Sequence, residues 1–86
     1  MAPFNQNHII KDEISIVVHI DEDLDGQNKK RIESQLLKLV GIQGVEFDKF
    51  RPHLLFIRYS PSHIEAFKIT GLLRSLNLHV QLIVGN

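Results

Sequence analysis

The chain reads ISIVVHIDEDLDGQNKKRIESQLLKLV over residues 14–40, and this stretch decides the fold. Apolar residues occupy every second position of its first seven residues, a period that predicts a β-strand when the residues are β-branched. From about Asn28 onward the apolar residues recur at helical spacing. Asp25 is a good N-cap for this helix, and Gly41 is a good stop. The sequence therefore predicts a strand, a short acidic loop and a helix.

The same two periods continue along the rest of the chain. Val45 and Phe47 alternate with acidic residues and predict a second strand, and residues 54–59 predict a third. Ser60 and Pro61 predict the start of a second helix, because a capping hydroxyl precedes a proline at the first helical position. The predicted inner face of this helix consists of Ile64, Phe67, Leu72, Leu73 and Leu76.

The order of these elements predicts the topology. Asn77 can take the left-handed conformation that closes a helix, and alternation over residues 78–84 predicts a fourth strand. With right-handed crossovers, the order βαββαβ gives an α+β ferredoxin-like sandwich with antiparallel sheet order 4-1-3-2 and both helices on one face. We expect one domain over residues 12–86, preceded by a flexible N-terminal arm of residues 1–11.

Composition excludes several classes of function. The 86 residues include no cysteine, which rules out disulfides, thiolate zinc, iron–sulfur clusters and cysteine catalysis. Ten acidic and ten basic residues give no net charge, so there is no overall attraction to nucleic acid or anionic lipid. The chain has neither an apolar run long enough to cross a membrane nor the pattern of a signal peptide. The expected compartment is the cytoplasm.

Four short motifs lie at the predicted junctions. They are Arg31-Ile32-Glu33 with Leu36 in the first helix, Gly44-Val45 before the second strand, Tyr59-Ser60-Pro61 before the second helix, and Asn77-Leu78 before the fourth strand. Together they resemble the heavy-metal-associated (HMA) domain family, the fold of copper chaperones and of the N-terminal modules of metal ATPases. The resemblance covers residues 14–84 and implies the ferredoxin-like topology already predicted from the periods.

The chain departs from that family at the metal motif. The family carries Gly-Met-x-Cys-x-x-Cys after its first strand. In this sequence the two cysteine positions hold Asp25 and Asn28, and the methionine position falls near Asp23. Soft Cu(I) prefers sulfur, and oxygen ligands do not replace it. The resemblance therefore predicts the HMA-like fold without Cu(I) as a ligand.

The acidic loop suggests a harder ion. Asp21, Asp23 and Asp25 match the first half of a calcium loop, in which alternating carboxylates converge on the ion. The twelfth position, which should be glutamate, is Ile32, and Glu33 comes one residue late. The alternative interpretation is a solvated loop whose carboxylates favour the positive end of the helix.

Three histidines lie at strand ends that the predicted topology brings to one edge of the sheet. Imidazoles together with a carboxylate suit Zn²⁺, Ni²⁺ or Co²⁺. The alternative is that histidines at exposed strand ends are simply polar surface residues. The predicted divalent-metal site consists of His19, His53, His79, Asp21, Asp23 and Asp25.

The sheet face opposite the helices carries apolar residues, and exposed apolar clusters of this kind usually mark a contact surface. We therefore predict that this face binds a protein partner or a second copy of the chain. The alternative is that the N-terminal arm, with Phe4, Ile9 and Ile10, folds over it. The predicted interaction surface consists of Val17, Leu54, Phe56, Arg58 and Ile83.

Two other functions are disfavoured by the residues themselves. Residues 56–59 resemble the end of an RNA-recognition motif, but the strand lacks its glycine and first aromatic residue, which makes nucleic acid an unlikely partner. Residues 42–47 resemble the acylphosphatase signature, but Asp48 replaces the arginine that binds the acyl phosphate. No nucleophile, base and orienting group can be assigned. The sequence thus predicts a non-enzymatic binding or interaction module, with divalent-metal binding as the alternative.

Overall fold

The computed structural model describes residues 12–84, which form four strands and two helices in the predicted order βαββαβ. The predicted arm of residues 1–11 lies outside the described residues. The elements are β1 (Ile14–Ile20), α1 (Gly26–Leu37), β2 (Ile42–Phe47), β3 (Leu54–Tyr59), α2 (Ala66–Ser75) and β4 (Val80–Val84).

The four strands form one antiparallel sheet in the order β2-β3-β1-β4. This is the predicted order 4-1-3-2 read from the other edge, so the predicted fold is confirmed. The central pair, β1 and β3, runs in unbroken register from Ile14 opposite Tyr59 to His19 opposite Leu54. Alternate side chains of these two strands point to the helices and are buried, and the others form the open face.

The core lies between the sheet and the two helices. Full burial of each of its large aliphatic side chains stabilises the fold by about 1.5–3 kcal/mol relative to exposure. No helix within residues 12–84 is both long enough and apolar enough to cross a membrane. The fully buried side chains of the core are Ile16, Val18, Ile20, Leu36, Leu55, Ile57, Ile69 and Leu73.

Helix α1 begins where the sequence predicts and ends earlier. Asp25 is its N-cap, and the Asp25 carboxylate accepts the backbone N–H of Asn28 at 2.8 Å. The helix ends at Leu37, so Gly41 does not terminate it. Gly41 has φ +101° in the turn into β2, and a Cβ there would lie 2.8 Å from Ile64 Cγ2. Gly41 is therefore required by the turn, and not by the helix end.

The predicted start of α2 at Ser60 and Pro61 is wrong. The backbone carbonyl of Ser60 accepts the N–H groups of His63 and Ile64, which makes one turn that is not continued. The helix begins only at Ala66. The Ser60 hydroxyl bonds to other side chains instead of to the first N–H groups of a helix, which explains why the Ser-Pro pair closes a turn.

The face that α2 buries differs in part from the predicted one. Phe67, predicted to face inward, is 64% exposed, whereas Ile69 and Leu73 are fully buried. Ile64 is buried, as predicted for its side chain, but it precedes the helix. Leu72 and Leu76 are partly buried against the core.

The end of α2 has the geometry predicted at Asn77. Asn77 has φ +66°, in the left-handed region. Its N–H bonds the carbonyl of Arg74, and the N–H of Leu78 bonds the carbonyl of Leu73. These two bonds define a Schellman motif, which satisfies the last carbonyls of the helix. Leu78 is buried as the residue that follows the cap, and β4 begins two residues later.

Candidate functional site

Asp25 and Asn28, which the sequence resemblance places at the two cysteine positions of the HMA motif, take part in capping α1. The Asp25 carboxylate is bonded to the backbone N–H of Asn28, and both side chains are polar oxygen or amide groups. These residues offer no thiolate, so a Cu(I)–thiolate site of the family type does not fit this chain.

Two of the three predicted histidines come together at one end of the sheet. The rings of His19, at the end of β1, and His53, just before β3, are stacked with centroids 5.5 Å apart and planes 19° apart. The loop supplies one carboxylate to each: His19 Nδ1 lies 3.1 Å from Asp21 Oδ1, and His53 Nε2 lies 3.2 Å from Asp23 Oδ1. The predicted meeting of strand-end histidines and acidic loop is thus present for these four residues.

The backbone fixes the ring of His53. Its Nδ1 lies 2.7 Å from the carbonyl oxygen of Ile20, which can only accept, so Nδ1 carries the hydrogen and donates it. In the neutral ring Nε2 then holds the lone pair, and it faces the Asp23 carboxylate.

The third histidine is held elsewhere. The Glu22 carboxylate accepts the backbone N–H of His79 at 2.9 Å and lies 2.6 Å from its ring Nδ1. The hydrogen bond and charge of Glu22 raise the pKa of His79 above its usual 6.5. The same hydrogen bonds lower the pKa of Glu22 below 4.5. His79 and Glu22 therefore form a mutual pair that ties the acidic loop to the start of β4.

These contacts divide the predicted metal ligands into three groups. His19, His53, Asp21 and Asp23 lie together, His79 pairs with Glu22, and Asp25 caps α1. Within residues 12–84 no group of three or more histidine, cysteine or acidic side chains is arranged to hold a metal ion. The sequence did not single out Glu22, whose role follows only from the β1–β4 pairing.

The predicted interaction surface lies on the sheet face away from the helices. Val17 and Phe56 are directly opposite each other on β1 and β3, and Leu54 is opposite His19. All three apolar side chains are partly exposed. Ile83, on the outer strand β4, is 51% exposed. Ile83 lies at the register shift between the pairs Val18–Leu82 and Val17–Val84, so the apolar strip that the strand pairing places on this face consists of Val17, Leu54 and Phe56.

Arg58 is held in place at one end of the strip. It is paired with Gly44 of β2, and its guanidinium lies against the glycine, so that a Cβ on Gly44 would be 2.1 Å from Arg58 Nη2. Its Nη1 also lies 3.6 Å from Glu13 Oε1. Gly44 thus gives the arginine room to lie on the face, a relationship that the sequence motif alone did not indicate.

The sequence pattern did not predict one further polar cluster, which consists of Ser60, Ser62, His63 and Asp12. Ser60 Oγ lies 2.9 Å from His63 Nδ1, and both serine hydroxyls donate to the Asp12 carboxylate, which lowers the pKa of Asp12. The carboxylate bonds the serines and not the histidine, and Ser60 is only 2% exposed. The arrangement therefore anchors the chain before β1 and does not form a relay from acid to base to nucleophile.

Comparisons with known proteins agree with the topology. The structure is similar to a copper-binding domain of HMA7, a P-type ATPase, with a TM-score of 0.75, 10% identity, and coverage of 85% of this chain and 97% of that one. It is also similar to the N-terminal domain of a potential copper-translocating P-type ATPase from Bacillus subtilis, in the Cu(I)-loaded state. That match has a TM-score of 0.76, 16% identity, and coverage of 86% of this chain and 91% of that one.

The chain has an HMA-like fold. No family model matches the sequence, and no curated protein matches it. At 10% and 16% identity the two similarities establish the fold alone. The residues at the loop and on the open face must therefore support any function by their own chemistry.

Proposed function

We propose that this chain is a small non-enzymatic binding module that makes a protein contact through its open sheet face. The observation that carries the proposal is the Val17–Phe56 pair, an apolar contact at the centre of a face that no helix of residues 12–84 covers. Leu54 extends it, and Arg58 and Glu46 lie at its border. A partly exposed apolar centre with a charged border is the usual composition of a protein interface.

The decisive experiment compares two aromatic substitutions on opposite layers. Phe56→Asp places a charge at the centre of the open face, whereas Phe67→Asp places one on α2, where Phe67 is 64% exposed. Light scattering over a range of concentrations, and cross-linking to cellular proteins, should show association that Phe56→Asp abolishes and Phe67→Asp preserves. Loss of association with Phe67→Asp alone, or no association by wild type in either assay, would count against the proposal.

A second candidate is binding of a divalent cation, which the histidine pair favours. Metal-bound histidines usually donate their other ring N–H to a carboxylate or a backbone carbonyl. His53 donates Nδ1–H to the Ile20 carbonyl, and His19 Nδ1 faces the Asp21 carboxylate. Nε2 is thus the ring atom left for a ligand in both histidines, and because the stacked rings are nearly parallel, one ring must turn for both lone pairs to reach one ion. An ion held by these two nitrogens would take Asp23 or water as its remaining ligands.

This candidate is tested with metal-stripped protein. Zn²⁺, Ni²⁺ and Co²⁺ are titrated separately while the melting temperature is measured, because a ligand specific for the folded state must stabilise it. A rise in wild type that disappears in His19→Ala/His53→Ala but persists in His63→Ala would support the site. An equal rise in the double variant would assign the effect to other groups. The two solved neighbours are described as copper-binding and Cu(I)-loaded domains, whereas the imidazoles here favour a divalent ion.

A further inference from the structure

We propose that two copies of the chain associate edge to edge, with β4 of one copy antiparallel to β4 of the other, so that two four-stranded sheets become one. This inference goes beyond the proposed function, because it concerns the β4 edge of the sheet and not its open face. The two-fold axis passes beside Gln81, which places Val80 opposite Leu82 of the second copy. The two open faces then form one continuous surface.

The hydrogen-bonding edge of β4 follows from its pairing with β1. The N–H of Asp21 bonds the carbonyl of His79 at 2.9 Å, and Gln81 is the partner of His19 two residues further on. Hydrogen-bonded pairs alternate in an antiparallel ladder. The backbone groups of Val80 and Leu82 therefore point away from β1, toward the outside of the sheet.

Pairing with a second β4 would give a hydrogen-bond partner to every outward backbone group of Val80 and Leu82. When Gln81 of one copy lies opposite Gln81 of the other, Val80 of each copy lies opposite Leu82 of the other. The N–H of each of these residues then donates to the C=O of the residue opposite. A two-fold interface requires such a self-complementary surface. The side chains are also suitable, since Leu82 and Ile83 are 48% and 51% exposed.

The two edges of the sheet differ in their protection. Proteins commonly protect edge strands with charges, proline or bulges. On the β2 edge, the register shifts between Ile42 and Gly44, and Glu46 adds a charge. The strand β4 contains neither a charged residue nor proline over residues 80–84. The register shift in the β1–β4 pairing lies between Val17 and Val18, and on β4 it comes after Leu82. The outward backbone groups of Val80 and Leu82 therefore stay in regular strand positions.

One charge does reach the β4 edge from α2. Arg74 Nη2 lies 3.4 Å from the carbonyl oxygen of Val80, a long bond that leaves a second lone pair free. In the paired dimer the two Val80 residues are two positions apart on neighbouring strands, so their Cα atoms lie about 8 Å apart. The arginine that contacts each of them is thereby brought within about one Debye length of the other at physiological salt. Their repulsion weakens the dimer and makes it stronger at high salt.

The test measures dimerisation of the full chain by analytical ultracentrifugation at low and high salt. Arg74→Gln should lower the dimer dissociation constant by about two- to threefold at low salt and by less at high salt, because screening already weakens the repulsion. Leu82→Lys should raise it by at least about tenfold, since it adds like charges beside the two-fold axis. Phe67→Lys, on α2, is the matched control and should leave it unchanged.

Hydrogen exchange reports the pairing directly and does not depend on a variant that folds. The amides of Val80 and Leu82 should become protected as protein concentration rises, whereas the amide of Gln81, already bonded within the monomer, should not change. A monomer at all concentrations, even for Arg74→Gln in high salt, would overturn the inference. A dimer abolished by Phe56→Asp and indifferent to Leu82→Lys would also overturn it, while leaving the proposed open-face contact intact.

Discussion

The stacked rings of His19 and His53 connect the end of β1 to the start of β3, with centroids 5.5 Å apart. The two Nδ1 atoms point to different acceptors, the Asp21 carboxylate for His19 and the Ile20 carbonyl for His53. Each ring is thus fixed by a polar contact on one side and by its neighbour on the other. The pair defines the geometry of this end of the sheet.

We expect the two histidines to stabilise the fold cooperatively. His53→Ala should lower the free energy of unfolding by about 1 kcal/mol, because it removes a partly buried hydrogen bond to the Ile20 carbonyl. His19→Ala should have a smaller effect, since its partner Asp21 is exposed. A double-mutant cycle in urea should give a coupling energy of about 0.5–1 kcal/mol for the stack. Strictly additive effects would contradict the contact.

We expect the pair of Glu22 and His79 to make stability depend on pH. The pKa of His79 is raised, so its contribution is complete below about 6.5 and is lost as the pH rises through the raised value. The pKa of Glu22 is lowered, so its contribution is complete above about 4.5 and is lost as the pH falls through the lowered value. The pair is therefore most stabilising between these limits.

Glu22→Gln should remove this dependence. Relative to the variant, wild type should gain stability around pH 5.5–6 and lose that gain toward pH 8–9. In an NMR titration the apparent pKa of His79 should fall in Glu22→Gln. Glu65→Gln, which neutralises a carboxylate beside the first residue of α2, is the control and should leave the His79 titration in place. An unchanged titration in Glu22→Gln would show that the pair does not form in solution.

The fold was predictable because its signals are local and repeated. The alternation over residues 14–20 determines which side chains of β1 are buried, and the sheet order follows from the element order and crossover handedness. Asn77 was predictable for the same reason, since a left-handed cap depends on the nearest residues. The start of α2 was not, because Ser60 is drawn into contacts with Asp12, a residue distant in sequence.

The candidate site was predictable only in part, and there is a physical reason why some of its contacts could be predicted and others could not. Antiparallel pairing brings strand ends together, which allowed His19 and His53 to be placed near the acidic loop. The pattern does not determine which carboxylate pairs with which ring. Glu22 bonds His79 because its carboxylate also accepts the His79 backbone N–H, a condition set by the path of the loop.

We expect Asp25 to act as a helix cap. Asp25→Ala should lower the free energy of unfolding by about 1 kcal/mol, because the N–H of Asn28 loses its acceptor. Asp25→Asn keeps an acceptor oxygen and should have a clearly smaller effect. Urea unfolding followed by circular dichroism would measure both. Equal losses for the two substitutions would indicate that the charge of Asp25, and not its hydrogen bond, stabilises α1.

The corrected face of α2 gives the clearest stability test, since two residues on one helix have opposite environments. Ile69 is fully buried, so Ile69→Ala removes buried methyl groups, leaves a cavity and should lower the free energy of unfolding by about 2–5 kcal/mol. Phe67 is 64% exposed, so Phe67→Ala should change it by less than about 1 kcal/mol. Chemical denaturation at one pH compares them directly. A larger loss for Phe67→Ala than for Ile69→Ala would contradict the buried face of α2 and favour the face predicted from the sequence.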